Sequence, residues 1–107
     1  MKDIVIAGYA RSPFTPASRG ALTEIRPDDL AAQVIKALVK RTGINAGDIE
    51  DLKLGCAFPE GEQGLNLARL VGFLANLPIS VSGVTVNRFC GSSMETIHMA
   101  AGAIHMN

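Results

Sequence analysis

The stretch VSGVTVNRFCGSSMETIHMAAGAIHMN (residues 81–107) decides how the chain is read, because its character changes halfway along. Val81, Val84, Thr85 and Val86 are β-branched and read as a strand, whereas from Ser92 onward the residues favour helix. Asn87, Arg88, Phe89, Cys90 and Gly91 must turn the chain from one to the other. The last part has few charges and many small residues (Ala100, Ala101, Gly102, Ala103), which predicts a buried helix that neighbouring elements approach closely.

Moving towards the N-terminus, Leu52, Leu54, Cys56 and Phe58 alternate with Lys53, Gly55 and Ala57 as far as Pro59, the pattern of another strand. PEGEQG (residues 59–64) is a polar, glycine-rich loop, and Leu67, Leu70, Val71 and Leu74 then fall at helical spacing, with an end near Asn76 and Pro78. Residues 28–41 predict a further helix, before a turn marked by Asn45 and Asp48. Pro27 suits its first turn, Asp28 and Asp29 complement the positive dipole end, and Lys36, Lys40 and Arg41 lie towards the C-terminal end before Gly43. Leu30, Ala31, Val34, Ile35 and Leu38 form its apolar stripe. RSPFTPASRG (residues 11–20) is a loop, and Ile4, Val5, Ile6 and Ala7, closed by Gly8, read as a first strand buried on both faces. The resulting β-α-β-α-β-α order predicts an α/β fold with a parallel-type sheet and right-handed crossovers.

Composition bounds the function classes. Ten Lys or Arg balance ten Asp or Glu among 107 residues, and 48% of the chain is hydrophobic. Disorder calls for low hydrophobicity with high net charge, and nucleic-acid binding normally shows a basic excess, so both classes are disfavoured. One domain, or part of one, fits the length. Two cysteines cannot build a dense disulfide framework, and without a secretory apolar segment a reducing, cytoplasmic setting is expected. No stretch approaches the roughly 18 uninterrupted apolar residues of a membrane span.

Cys90 is the candidate for chemistry. It stands where a buried strand turns into a helix, followed by Gly91, which permits close backbone approach, and by Ser92 and Ser93, which can satisfy free amides. Helix N-terminal N–H groups favour a thiolate there and can also receive an oxyanion, two parts of an acyl-transfer site within a few residues. The bland alternative is a cysteine acting as a small buried hydrophobe, which is the expected role of Cys56.

The segment VTVNRFCGSSM (residues 84–94) resembles the nucleophile segment of the thiolases, particularly the 3-ketoacyl-CoA type. GCAFPEGEQGLNLARL (residues 55–70) is similar to the block preceding it in that family, and IVIAGYARSPF (residues 4–14) to the family's first strand and loop. Where the family usually has Cys-x-Ser-Gly, this chain has Cys90, Gly91, Ser92 and Ser93, so Ser92 stays in register and the backbone beside the nucleophile departs from the pattern.

The resemblance implies part of a layered αβαβα architecture, with residues 1–107 as an incomplete N-terminal domain lacking the C-terminal half and the CoA-holding loop region. It also implies thiolytic cleavage of 3-ketoacyl-CoA by CoA, or the reverse Claisen condensation, through an acyl-cysteine on Cys90. The backbone N–H of Cys90 would contribute to the oxyanion hole, and Asn87, Arg88, Gly91 and Ser92 would support the site. No cofactor or metal is implied, since CoA thioesters are substrates; a homodimer or homotetramer is, with residues 87–89 and the loop from Pro59 near the dimer contact. The activating histidine, a second histidine and a second cysteine would come from outside this chain, leaving it inactive alone.

His98 and His105 are poor substitutes for those groups. Seven residues apart on one helix, they are separated by about 10.5 Å along its axis, too far to share a metal, and neither is expected within reach of Cys90. Glu60 and Glu62 read as a solvated loop or subunit contact, and Gly61 and Gly64 lack the Gly-Lys-Ser/Thr ending of a phosphate loop. Arg69 and Arg88 could orient loops or hydrogen-bond carbonyls, with a structural ion pair the favoured reading. Two alternatives stay open, a non-catalytic fragment or dimerisation module and a condensing enzyme of the ketoacyl-synthase type. Met106 and Asn107 end the chain in an apolar helix without a clear cap, which is expected of a truncation that is marginally stable or prone to associate.

Overall fold

In the computed structural model, which describes residues 3–107, the first regular element is helix α1 (Pro27–Thr42). Pro27 can open it because the N–H that proline lacks has no partner in a first turn. Gly43 closes it at φ 69°, a left-handed conformation that glycine adopts without strain, and donates its N–H to Val39 O at 3.0 Å. Buried Asp28 accepts a fork of bonds from Arg26, 3.1 Å from Nε and 2.8 Å from Nη2, and another from the Asp29 N–H at 2.9 Å. The hydrogen bond from Arg26 holds the Asp28 carboxyl below its usual range, against the opposing effect of burial. Arg26 Nη1 also reaches Glu62 Oε1 at 3.4 Å, so Glu62 of the 59–64 loop makes a structural contact with the start of α1.

Strands β1 (Asp51–Gly55) and β2 (Ser82–Val86) pair in parallel, with Leu52 opposite Gly83 and Gly55 opposite Val86, and helix α2 (Leu67–Leu74) connects them. Side chains alternate across a pleated strand, so Leu52, Leu54, Gly83 and Thr85 face one way and Lys53, Gly55, Val84 and Val86 the other. Helix α2 lies on the first face: its Ala68 N–H donates to Thr85 Oγ1 at 3.0 Å, and Thr85 in turn donates to Asn66 Oδ1 at 2.9 Å. Behind α2 packs α1, and the core between them consists of Ala32, Cys56, Leu67, Val71, Ala75, Leu77 and Val81. Helix α3 (Ser92–Met106) lies on the opposite face, over β1. The result is an α/β/α layering around a short parallel sheet.

Beyond α2, Asn76 takes φ 58° and the Leu77 N–H reaches back to Gly72 O at 3.0 Å, ending the helix at the expected place. Arg69 then pins the 75–81 connection. Its guanidinium donates to the carbonyls of Ile79, at 2.9 Å, and Val81, and lies 4.3 Å from the Phe73 ring centre. The expected ion pair at Arg69 is therefore replaced by bonds to backbone carbonyls, because the returning connection presents unpaired C=O groups within its reach.

Three expectations need correction. Residues 4–7 form no strand: Val5 and Ile6 are 78% and 79% exposed, and the sheet has two strands among the described residues. The residues that follow, Gly8 and Tyr9, lie against the end of α1, with Arg41 Nη1 donating to Tyr9 O at 2.8 Å. A strand buried on both faces needs a paired neighbour and cover above and below, and an apolar run specifies neither. The strand expected to reach Phe58 ends at Gly55, although the Cys56 N–H still bonds Val86 O at 2.9 Å. Helix α3 is not buried. Only Ser92 is, while Met94, Ile97, Met99, Ile104 and Met106 are exposed, since one side of α3 rests on β1 and nothing described covers the rest. Within its small-residue run Gly102 is not closely approached, because a Cβ there would meet no atom within 4 Å. No helix among the described residues is long and apolar enough to cross a membrane.

Candidate active site

The turn between β2 and α3 is built by short-range bonds that the local sequence dictates. Asn87 Oδ1 accepts the Phe89 N–H at 2.9 Å, the self-bonded turn that asparagine favours. Buried Ser92 does the most: its Oγ accepts the Arg88 N–H at 2.8 Å and donates to the Phe89 carbonyl at 2.6 Å, closing the loop beneath residues 88–91. Phe89 is held at φ 45°, a left-handed conformation that costs a non-glycine residue on the order of 1–3 kcal/mol and persists only where its surroundings impose it. Cys90 follows directly and is exposed, at the end of the sheet where the parallel strands finish. In open α/β sheets that carboxyl end is where ligands are received.

The N–H groups of the turn divide in a way that bears on chemistry. Those of Arg88 and Phe89 go to side-chain oxygens, that of Gly91 to Arg88 O at 3.0 Å, and that of Ser92 to Phe89 O. The Cys90 N–H has no acceptor among the described residues, so it can serve an external oxygen beside its own thiol.

Arg88 and Glu95 form an ion pair at 3.5 Å across the first turn of α3, and His98 Nδ1 stands 3.8 Å from the same carboxylate oxygen. The structure therefore brings together Asn87, Arg88, Cys90, Gly91 and Ser92. His98 and His105 sit exposed along α3, and His98 has Glu95 as its neighbour. Cys56 is 6% exposed in the core on the far side of the sheet, so the two cysteines are free and face different environments.

Gly91 leaves its backbone open to approach, since a Cβ there would meet only the Arg88 side chain, at 3.9 Å. A close approach within the chain is made by Gly55. A Cβ on this last residue of β1 would stand 2.5 Å from the Ser93 backbone nitrogen and 2.7 Å from the Ser92 carbonyl carbon. The only trace of this in the sequence was a glycine in the small-residue phase of an alternating strand.

A family model described as thiolase, N-terminal domain, matches residues 4–107. The 3-ketoacyl-CoA thiolase of Bacillus subtilis (strain 168) is 50% identical over 104 residues, which is 97% of this chain and 27% of the relative. The 3-ketoacyl-CoA thiolases of Acinetobacter baumannii (strain AYE) and Psychrobacter sp. (strain PRwf-1) are 43% and 40% identical over 106 residues, 99% of this chain. The chain spans 27% of the length of each of these relatives. An exposed cysteine in a strained turn between a parallel strand and a helix thus lies inside a match that runs almost from end to end, and the chain belongs to the thiolase family.

Proposed function

We propose that the protein containing this chain is an acyltransferase that cleaves 3-ketoacyl-CoA with CoA, or runs the reverse condensation, with Cys90 as nucleophile. The observation that carries this reading is the Cys90 turn, an exposed thiol next to its own unpartnered N–H in the family's N-terminal domain. The names of the relatives supply the substrate class.

In the cleavage direction a base takes the Cys90 thiol proton as the sulfur attacks the keto carbon, and the carbonyl oxygen, turning negative, accepts the Cys90 N–H. The bond between the keto carbon and its neighbour then breaks. Its electron pair passes to the departing acetyl-CoA enolate, which takes up a proton, and the acyl group remains on sulfur. The thiol of CoA next attacks this thioester, gives up its proton to a base and frees Cys90. Ser92 and Asn87 hold the turn, Arg88 couples it to α3 through Glu95, and Gly91 continues the chain into the helix. We assign the proton-transfer groups to segments outside this chain, because a base must stand within hydrogen-bond reach and neither histidine contacts Cys90 here. No resident cofactor or metal takes part, the CoA thioesters being substrates. The working form is a cytoplasmic homodimer or homotetramer.

Iodoacetamide labelling of the 107-residue chain tests the reading, with Cys90 and Cys56 quantified by peptide mass spectrometry. Cys90 is expected to react faster in the folded chain than in the same chain unfolded in urea, a comparison that separates activation from exposure. Equal rates would remove the case for an activated nucleophile. Thiolysis of acetoacetyl-CoA by this chain alone is expected to be absent, and turnover would overturn the assignment of the base to other segments.

A further inference from the structure

Among the glycines of the chain, Gly55 and Gly83 lie under helices so closely that a Cβ would strike helix backbone. At Gly83 the atoms met are the Arg69 nitrogen, at 2.8 Å, and Cα, at 3.0 Å, in α2; at Gly55 they are the Ser93 nitrogen and the Ser92 carbonyl carbon, in the first turn of α3. No rotamer change relieves contact with backbone, so a methyl group at either position must move a helix. Gly55 is outside the left-handed conformations taken by Gly43 and Gly61, so alanine suits its φ and any effect of the substitution comes from contact.

The two helices differ in what their first turns carry. Residue Ser92, which rests on Gly55, is also the residue whose hydroxyl closes the Cys90 turn from both sides. Raising the start of α3 off β1 would draw Ser92 away from the Arg88 N–H and the Phe89 carbonyl and release the strained φ of Phe89. We propose that Gly55 is a positioning residue for Cys90: its missing side chain sets the height of α3 over the sheet, and through Ser92 the place of the nucleophile. This rests on the reading of Cys90 as nucleophile.

The test compares wild type, Gly55→Ala and Gly83→Ala in the iodoacetamide assay, with Cys56, buried on the α2 face, reporting the folded state of the same molecules. Wild-type labelling, folded against urea-unfolded, judges the nucleophile reading before any variant is compared. The Gly55→Ala chain is expected to keep Cys56 protected while Cys90 reacts about two- to fivefold more slowly at neutral pH, the range a helix N-terminus is worth, with an altered rate–pH profile. Gly83→Ala, among molecules with Cys56 protected, is expected to leave the Cys90 rate and profile as in wild type. If Gly55→Ala exposes Cys56, the measurement is repeated on Gly55→Ala/Gly102→Ala, because alanine inside α3 favours the helix. Unchanged Cys90 kinetics in Gly55→Ala, equal slowing in Gly83→Ala, or a double variant that still exposes Cys56 would each overturn the proposal.

Discussion

Helix α2 presses on Gly83 from one side of the sheet and helix α3 presses on Gly55 from the other, yet only α2 has a second layer behind it. Between α1, α2 and the sheet lies a sealed apolar cluster in which Val71 is fully buried. Over α3 there is no such layer among the described residues, and Met94, Ile97 and Ile104 remain exposed. The difference separates the face that packs the core from the face that presents the exposed Cys90. The backed face holds the chain together, and the unbacked face carries Cys90 on a turn closed by the Ser92 hydroxyl. The exposed apolar side chains on α3 form a face that further cover would bury.

That contrast is open to challenge by mutation. The largest effect is expected for Leu67→Ala in the cluster, a residue 4% exposed, which should lower stability to urea by about 2–5 kcal/mol. Met94→Ala on α3, where the side chain is 65% exposed, should cost less than about 0.5 kcal/mol. Comparable losses at the two sites would erase the distinction between the faces. A smaller effect of opposite sign is expected from Gly102→Ala, in open space within α3, which should stabilise by roughly 0.5–1 kcal/mol. No gain in the urea midpoint would mean that α3 is not formed as described.

The smallest effect concerns acid. Because Asp28 has its pKa lowered in the folded chain by the hydrogen bond from Arg26, its contribution is present above the ordinary carboxylate range near about 4 and is lost as pH falls through the folded value. Removing the partner with Arg26→Gln should therefore move acid unfolding to higher pH, as followed by circular dichroism. Coincident acid transitions for the two chains would show that this pair adds nothing to the backed face.

Much of this architecture was legible in the residues. The helix from Pro27 carried its own start and stop signals, and α2 showed its apolar spacing from Leu67 to Leu74. Cys90 stood out because strand, turn and helix signals meet there, and its neighbours Asn87 and Ser92 close the turn with bonds spanning two to four residues, a range that sequence reasoning can see. The close approach of Gly55 to the start of α3 was not legible, since two residues far apart in the chain meet only when β1 and α3 are stacked. Arg69 was expected to find a carboxylate, but the carbonyls it holds become available only once the connection folds back over α2.

By itself, then, the sequence determined the type and order of the helices, the parallel α/β class, the strand-to-helix turn around Cys90 and the family to which the chain belongs. The elements are local matters of backbone preference and side-chain period, settled within a turn or two of chain, whereas the family rests on the resemblance of three segments to known ones. Only the tertiary structure decided that residues 4–7 pair with no strand among the described residues, that α3 lies open on its outer side there, and that Gly55 lies directly under the first turn of α3. Burial and close approach are properties of two surfaces brought together, and an apolar run or a glycine specifies only its own half of each contact.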